Sequence, residues 1–313
     1  MPFKNFNLLV ILGATASSKT SLAAHWAYRN SGEIISADSR QVYRGMNIGT
    51  GKDYGDYVIN GQAIPYHCID IAEAGTQYNV YEYQNDFLTA YGKVLNNRKI
   101  PVLCGGSGMY IEAAINGYQL IHTPVNEALR KELDTKTDEE LETMLTTLKT
   151  QHNCTDIDTR KRAIRAIEIA VHQANSQPID NVYPEIRPLF IGIRFDREAR
   201  RQRITQRLRQ RLDEGMIEEA QGLLYNGISP EQLEYYGLEY KFLAKYLTNK
   251  LTYAQMFDQL NTAIHQFAKR QMTWFRRMER NGAKIWWLDG YMPMEEKLRE
   301  IDFRFSEKYS DIV

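Results

Sequence analysis

The feature that most constrains this chain is the glycine loop that follows its first apolar run. Residues 8 to 20 read LLVILGATASSKT. They match the pattern G-x-x-x-x-G-K-[ST] except at Ser18, which stands where the second glycine is expected. A loop set between a buried strand and a helix points its N–H groups at one spot, where the helix dipole also favours an anion. The sequence therefore predicts a phosphate site made of Gly13, Ala14, Thr15, Ala16, Ser17, Ser18, Lys19 and Thr20.

Three later apolar runs resemble the first in ending at glycine or at polar side chains. They are EIISADS at 33 to 39, IPVLCGGSGMY at 100 to 110 and LFIGIRF at 189 to 195, and helical stretches separate them. Strands that alternate with helices favour a parallel sheet, whose ligands gather at the carboxyl ends of the strands. We predict an α/β fold with a P-loop NTPase-like parallel-sheet core. Asp38, Ser39 and Ser107 should then meet the phosphate loop around one crevice.

The middle of the chain has a different character. From about Thr123 to Gln177 it is polar, helical in period and free of glycine, and several prolines follow. This composition predicts an inserted helical subdomain. We place the insert at 122–187 and the core, which includes the C-terminal helices, at 1–121 and 188–313.

The charge of the chain is balanced overall but clustered locally. Lysine plus arginine and aspartate plus glutamate number 39 each, so the net charge of 0 favours no partner. Helical spacing nevertheless places Arg200, Arg203, Arg207 and Arg211 on one face, and Lys269, Thr273, Arg276 and Arg280 on another. A run of charge is usually a solvated face. Several such faces together favour a partner with a phosphate backbone.

The bulk composition fits a reduced cytoplasmic protein. A hydrophobic content of 43% supports a buried core. The cysteines are odd in number and far apart, at Cys68, Cys104 and Cys154. This pattern is typical of neither a disulfide framework nor a C-x-x-C metal site. The first apolar run is too short for a signal segment or a membrane span. We expect a cytoplasmic monomer that does not associate with a membrane.

Seven stretches together resemble one family, the tRNA dimethylallyltransferases, also called tRNA isopentenyltransferases. They run in family order over nearly the whole chain: GATASSKT at 13 to 20, DSRQVYRGMNIGT at 38 to 50, IPYHCIDI at 64 to 71, GGSGMY at 105 to 110, KRAIRAIE at 161 to 168, DEGMIEEA at 213 to 220 and AKRQMTWFR at 268 to 276. DSRQVYRGM and KRQMTWFR are specific, whereas many unrelated enzymes share the phosphate loop.

The resemblance implies transfer of a dimethylallyl group from dimethylallyl diphosphate to N6 of adenosine-37, beside the tRNA anticodon. The diphosphate would leave whole, stabilised by Lys19, Arg207 and Mg²⁺. The metal would arrive with the diphosphate and contact the Thr20 hydroxyl. By resemblance Asp38 is the catalytic base. From the residues alone, Asp38 could equally hold the water shell of the metal.

The resemblance also implies which residues face the tRNA anticodon stem-loop. They are Asp38, Ser39, Arg40 and Gln41; Ser107 and Arg130; Lys161, Arg162, Ala163, Ile164 and Arg165; and Lys269, Arg270, Gln271, Met272, Thr273, Trp274, Phe275 and Arg276.

The sequence also allows three other functions. A prenyltransferase acting on free adenine nucleotides would not need the basic faces and the insert. The glycine loop is a nucleotide-binding pattern, so a P-loop kinase or ATPase is possible, with Asp196 as the acid at a strand end. A module that binds RNA without catalysis is favoured only by Ser18, because Lys19, Thr20, Asp38 and Arg207 are all present.

Overall fold

The structure of the protein is a computed structural model, which describes residues 6–118, 120, 122–148, 159–174 and 183–306. The chain divides into two compact units. The core unit contains Met1–Gly117 and Glu185–Val313, and the insert unit contains Tyr118–Pro184. The sequence places the same insert at 122–187, a few residues further along at each end.

The helices and strands follow one another in this order. The first part of the core unit contains β1 (Leu8–Gly13), α1 (Lys19–Asn30), β2 (Gly32–Ser36), a 3₁₀ turn (Tyr54–Tyr57), β3 (Val58–Ile59), β4 (Gln62–Ala63), β5 (Tyr66–His67), α2 (Val80–Asn96), β6 (Ile100–Gly105) and α3 (Gly108–Asn116). The insert unit contains α4 (Glu127–Leu133), α5 (Asp138–Leu148) and α6 (Arg160–Ala174). The second part of the core unit contains β7 (Pro188–Arg194), α7 (Arg197–Asp213), α8 (Met216–Tyr225), α9 (Pro230–Leu233), a 3₁₀ turn (Glu234–Tyr236), α10 (Leu238–Leu247), α11 (Tyr253–Arg280), β8 (Ile285–Asp289) and α12 (Met294–Ser306).

A 6-stranded sheet forms the centre of the core unit, in the order β5-β2-β6-β1-β7-β8. Every neighbouring pair in it is parallel. The apolar run that opens the chain is the central strand β1, between β6 and β7, and all of its residues are buried. The predicted α/β fold with a parallel sheet is confirmed, and so are the four apolar runs that were predicted as strands.

The alternating side chains of β1 explain why its run is continuously apolar. Leu8, Val10 and Leu12 belong to one hydrophobic cluster, which includes residues of α2, α7, α10 and α11. Leu9 and Ile11 belong to a second cluster, which includes residues of α1 and α12. Because helices cover both faces of the sheet, neither set of side chains reaches water.

The sequence did not predict the edge strands. The segment IWWLD was expected within the mainly helical C-terminal part, but it forms β8 and pairs with β7. Its Trp286 is 39% exposed because an edge strand is covered less than a central one. On the opposite edge, β5 consists of Tyr66–His67 alone. The apolar run of β8 is only four residues long and β5 has two residues in all. Runs this short do not distinguish a strand from part of a buried helix.

The insert unit has its own small core, built from Leu133, Leu141, Leu145, Ile164 and Ile167. These residues come from α4, α5 and α6, so each of the three helices contributes an apolar side to this core.

Two further expectations concern cysteines and the membrane. Cys68 and Cys104 are buried free thiols, and Cys154 lies outside the described residues. In the part of the chain that the structure describes, the helices are too short or too polar to cross a membrane.

Candidate active site

The phosphate loop joins the end of β1 to the start of α1, as the sequence predicts. Gly13 packs so closely that a Cβ atom there would lie 2.6 Å from Ser17 Oγ. Ser18 is the residue that precedes α1, and its side chain makes no capping hydrogen bond. The first N–H groups of a helix need partners from outside the helix. Because Ser18 does not cap them, the start of α1 suits an anion.

Two residues of the loop adopt a backbone conformation that favours glycine. Ala16 has φ +61° and Ser18 has φ +60°. The left-handed conformation costs a residue with a side chain about 1–2 kcal/mol. This explains why the pattern has glycine at the position of Ser18. It also means that the surrounding structure must hold the loop in place.

Arg203 of α7 is one of the groups that hold the loop. Its Nε donates to the carbonyl of Ala16 at 2.9 Å, and its terminal nitrogen donates to Ser18 Oγ at 2.7 Å. Its guanidinium also lies 4.4 Å from the centre of the Phe195 ring. The sequence placed Arg203 on an anion-binding face, and the structure brings that face to the phosphate loop.

Lys19 is the first residue of α1 and is half-buried. Burial lowers its pKa, and the nearby charge of Arg207 lowers it further, while Asp38 and Asp53 act in the opposite direction. An anion bound beside Lys19 would favour the charged ammonium. Thr20, also half-buried, follows in the first turn of α1, and its side chain hydrogen-bonds with the buried Cys104.

Arg207 pairs with a carboxylate that the sequence analysis missed. It donates to Asp53, and Arg211 lies 3.5 Å from the other oxygen of the same carboxylate. Burial lowers the pKa of Arg211, the neighbouring Arg207 lowers it further, and Asp53 opposes both effects. Asp53 therefore holds two cations next to the phosphate loop.

The segment after β2 meets the segment after β6. The N–H of Ser39 donates to Ser107 Oγ at 3.1 Å, and the N–H of Ser107 donates to the carbonyl of Ala37 at 3.2 Å. Asp38 is half-exposed, and its Oδ1 accepts from the N–H of Arg40 at 2.9 Å. The structure thus places Asp38, Ser39 and Ser107 at neighbouring strand ends, as parallel topology requires.

The other residues of the DSRQ segment have internal contacts. Arg40 is half-buried, and its guanidinium lies 5.1 Å from the centre of the Tyr235 ring. Gln41 is buried, accepts from Ser36 Oγ at 3.0 Å and donates to the carbonyl of Gly51 at 2.9 Å. Gln41 therefore presents little surface to RNA and instead connects two loops.

Helical geometry divides the KRQMTWFR segment of α11 into two faces. Lys269, Arg270, Thr273 and Arg276 are exposed, Met272 and Trp274 are half-buried, and Gln271 and Phe275 are buried. The indole N–H of Trp274 donates to Glu112 at 2.8 Å. A Cβ atom at Gly108 would lie 2.1 Å from the Trp274 ring. The exposed set is available to RNA, whereas the buried set packs α11 against the loops of the sheet.

The predicted RNA contacts of the insert unit also divide by exposure. Lys161 and Arg162 are exposed, whereas Ala163 and Ile164 belong to the core of the unit. Arg130 makes two hydrogen bonds to the buried Glu168, at 2.8 and 2.9 Å. Arg165 donates to the same carboxylate at 2.9 Å. Hydrogen bonds thus fix two half-buried guanidinium groups side by side.

A small cavity borders the phosphate loop next to α7. Its walls include the apolar residues Ile204, Leu208, Met216 and Ile264 and the charged residues Arg207, Arg211 and Glu239. Burial raises the pKa of Glu239, and Arg211 opposes that effect. A larger cavity of about 620 Å³ also borders the loop and α7, lined by Ser17, Ser18, Arg203 and Lys297 among others.

Protein groups that could hold a metal are few. Among the residues that the structure describes, no three His, Cys, Asp or Glu side chains form a metal cluster. In loops of this pattern the Ser or Thr hydroxyl contacts Mg²⁺, so Thr20 is the protein group that would contact the ion, with substrate phosphates supplying other ligands.

Glu219, which no sequence motif singled out, holds the loop that carries Asp53. Its carboxylate accepts from the N–H groups of Asn47, Ile48 and Gly49 at 2.7, 2.8 and 2.9 Å. The DEGMIEEA stretch contains Glu219, but nothing in that stretch indicates that Glu219 binds the backbone at residues 47–49, far away in the sequence.

The sheet has a phosphate loop at its central strand β1, arginines over that loop, and a carboxylate after β2, two strands away. These features define an enzyme for a phosphorylated substrate. The chain belongs to the IPP transferase family, whose model matches residues 41–278. It is therefore a prenyltransferase, and the resemblance seen in the sequence is confirmed.

The relatives match over nearly their whole length. The chain is 55% identical over 307 residues to a protein named tRNA dimethylallyltransferase 2 of Bacteroides fragilis, which covers 98% of this chain and 100% of that one. It is 56% identical to tRNA dimethylallyltransferase 1 of Parabacteroides distasonis, with 94% and 96% covered.

Solved structures show the same fold. The tRNA isopentenylpyrophosphate transferase of Bacillus halodurans has a TM-score of 0.68 at 30% identity, with 95% of each chain covered. A eukaryotic dimethylallyltransferase has a TM-score of 0.74 at 22% identity, with 95% of this chain and 78% of that chain covered.

Proposed function

We propose that the protein transfers a dimethylallyl group from dimethylallyl diphosphate to N6 of adenosine-37 beside the tRNA anticodon, and releases diphosphate. The observation that carries this proposal is the placement of Asp38 at the strand end next to a phosphate loop flanked by Arg203 and Arg207. The curated relatives, which are named tRNA dimethylallyltransferases, support the choice of substrates.

The departing diphosphate sets the first chemical demand. An allylic C–O bond breaks with cation-like character, so the main need is to stabilise negative charge on the leaving group. The N–H groups at the start of α1, the Lys19 ammonium and the Arg207 guanidinium would meet this need. Mg²⁺ held by the diphosphate and Thr20 would add further positive charge.

The acceptor amine sets the second demand. The exocyclic amine of adenine is a weak nucleophile because its lone pair is delocalised into the ring. A carboxylate that accepts a hydrogen bond from N6 would orient the amine and take its proton. Asp38 suits this role because it is half-exposed, and its Oδ1 is already fixed by the N–H of Arg40.

The RNA must present adenosine-37 outside the stack of the anticodon loop. Unstacking costs a few kcal/mol, which contacts with the protein offset. On α11 the exposed Lys269, Arg270 and Arg276 are suited to the phosphate backbone. On the insert unit, Lys161 and Arg162 are exposed cations of the same kind.

The test is a labelled transfer assay. The protein is incubated with Mg²⁺, radiolabelled dimethylallyl diphosphate and an anticodon stem-loop carrying A at position 37, and AMP serves as the alternative acceptor. Asp38→Asn removes the base without changing its size, and Asp258→Asn, at an exposed position of α11, is the matched control. Release of phosphate from ATP is measured in parallel.

We expect label in the stem-loop and not in AMP, with transfer lost in Asp38→Asn and kept in Asp258→Asn. Label in AMP would move the activity to free nucleotides. RNA binding without label in either acceptor would leave an RNA-binding module, and phosphate release from ATP without prenyl transfer would indicate an NTPase.

A further inference from the structure

The phosphate loop is held by side chains from two helices, α7 and α11. Arg203 holds the carbonyl of Ala16 and the side chain of Ser18, which are the two residues with left-handed backbone. Strained conformations persist only when surrounding contacts determine them. The start of the loop, at Thr15, lies outside the reach of these Arg203 contacts.

Gln271 of α11 provides the missing contact. Its Oε1 accepts from the N–H of Thr15 at 2.9 Å, and its Nε2 donates to the carbonyl of Gly106 at 2.9 Å. The side chain is only 7% exposed. The fit is close, because a Cβ atom at Gly106 would lie 2.4 Å from Gln271 Nε2. One primary amide thus joins the phosphate loop to the loop after β6.

The second loop leads directly to the candidate base. Ser107 follows Gly106, its N–H donates to the carbonyl of Ala37, and its Oγ accepts from the N–H of Ser39. Asp38 lies between these two residues. A short series of hydrogen bonds therefore connects the phosphate loop to the backbone on both sides of Asp38, with Gln271 in its centre.

We propose that Gln271 is a positioning residue, which sets the distance between the diphosphate site and the carboxylate of Asp38. This inference rests on the proposed function, because only a transfer between two substrates needs a fixed distance between the two sites. The sequence resemblance suggests that Gln271 contacts RNA. Its burial and its two internal hydrogen bonds favour a role through the loops instead.

The experiment compares Gln271→Met with Gln259→Met. Methionine keeps an unbranched chain of the same length but removes both hydrogen bonds. Gln259 lies on the same helix at an exposed position, so it receives the same chemical change without the loop contacts. The measured quantities are kcat, KM for dimethylallyl diphosphate, KM for the stem-loop, and Kd for inorganic pyrophosphate with Mg²⁺.

We expect Gln271→Met to lower kcat about 10- to 100-fold, the size of effect that follows a displacement of about 1 Å at a reacting centre. Its Kd for pyrophosphate should rise several-fold, while KM for the stem-loop stays within about twofold of the control. The inference is overturned if both methionine variants show the same kcat and pyrophosphate Kd. A rise in the stem-loop KM alone would also overturn it, because Gln271 would then contact the RNA.

Gln271→Glu provides a second test that does not depend on the methionine variant folding well. A protonated carboxyl group can accept from Thr15 and donate to Gly106, whereas a carboxylate cannot donate. The kcat/KM of this variant relative to wild type should therefore rise as pH falls, and a flat ratio would contradict the inference. If the wild type transfers no label, the proposed function fails, but the pyrophosphate Kd still reports whether Gln271 shapes the loop.

Discussion

The pair between Asp53 and Arg207 predicts that one substitution has opposite effects on stability and on ligand affinity. Asp53 accepts from Arg207 and lies 3.5 Å from Arg211. Arg207 is also the cation that we assign to the diphosphate. A bound diphosphate and the Asp53 carboxylate would therefore compete for the Arg207 guanidinium. Asp53→Asn keeps the size of the side chain and removes the competing charge.

Exposure determines the size of both effects. The side chain of Asp53 is 46% exposed and that of Arg207 is 29% exposed, so water screens this pair. A pair of this kind contributes about 1 kcal/mol. Its loss should lower the melting temperature by about 2 °C in a chain of this size. If the freed Arg207 turns to the ligand, the same ~1 kcal/mol corresponds to about fivefold tighter binding of pyrophosphate.

The assay measures thermal unfolding and the calorimetric Kd for pyrophosphate with Mg²⁺. Asp56→Asn is the control, because Asp56 lies three residues further on, loses the same charge and forms no ion pair among the described residues. The expected result is a lower melting temperature together with tighter binding in Asp53→Asn, and a smaller change in binding in Asp56→Asn. Weaker binding in Asp53→Asn would refute competition and would mean that Asp53 holds Arg207 in its productive position.

Three further predictions concern the phosphate loop and the insert unit. Ser18→Gly should raise the free energy of unfolding by about 0.5 kcal/mol, because relief of the left-handed backbone exceeds the loss of one exposed hydrogen bond. A decrease of more than about 1 kcal/mol in the free energy of unfolding, measured in urea, would contradict this. Burial lowers the pKa of Lys19, so the pyrophosphate affinity should fall as pH rises through that lowered pKa, and a Lys19→Arg variant should remove the dependence. Glu168→Gln should destabilise the insert unit by about 2 kcal/mol, because Arg130 and Arg165 lose a buried partner. The KM for the stem-loop should then rise, while the pyrophosphate affinity stays unchanged.

The sequence predicts the parts of the site that depend on local order. The loop from Gly13 to Thr20 and the position of Asp38 follow from apolar runs that end at glycine or polar residues. These runs identify strands because they are buried on both faces. The edge strand β8 has an apolar run of only four residues, IWWL, which does not distinguish a strand from part of a buried helix, and it was missed. Asp53 was missed for another reason, and Gln271 was predicted to face RNA rather than the phosphate loop. Thr15 and Gln271 are 256 residues apart, and only tertiary packing brings them together.

The KRQMTWFR segment shows why a specific motif does not reveal which residues touch the substrate. Its residues alternate between an exposed face, which includes Lys269 and Arg276, and a buried face, which includes Gln271 and Phe275. The helical period requires this division, because residues three and four apart share a face. Substitutions on either face would lower transfer, so total activity does not separate them. Loss of RNA affinity identifies the exposed face, whereas loss of pyrophosphate affinity and of kcat identifies the face that holds the two loops in register.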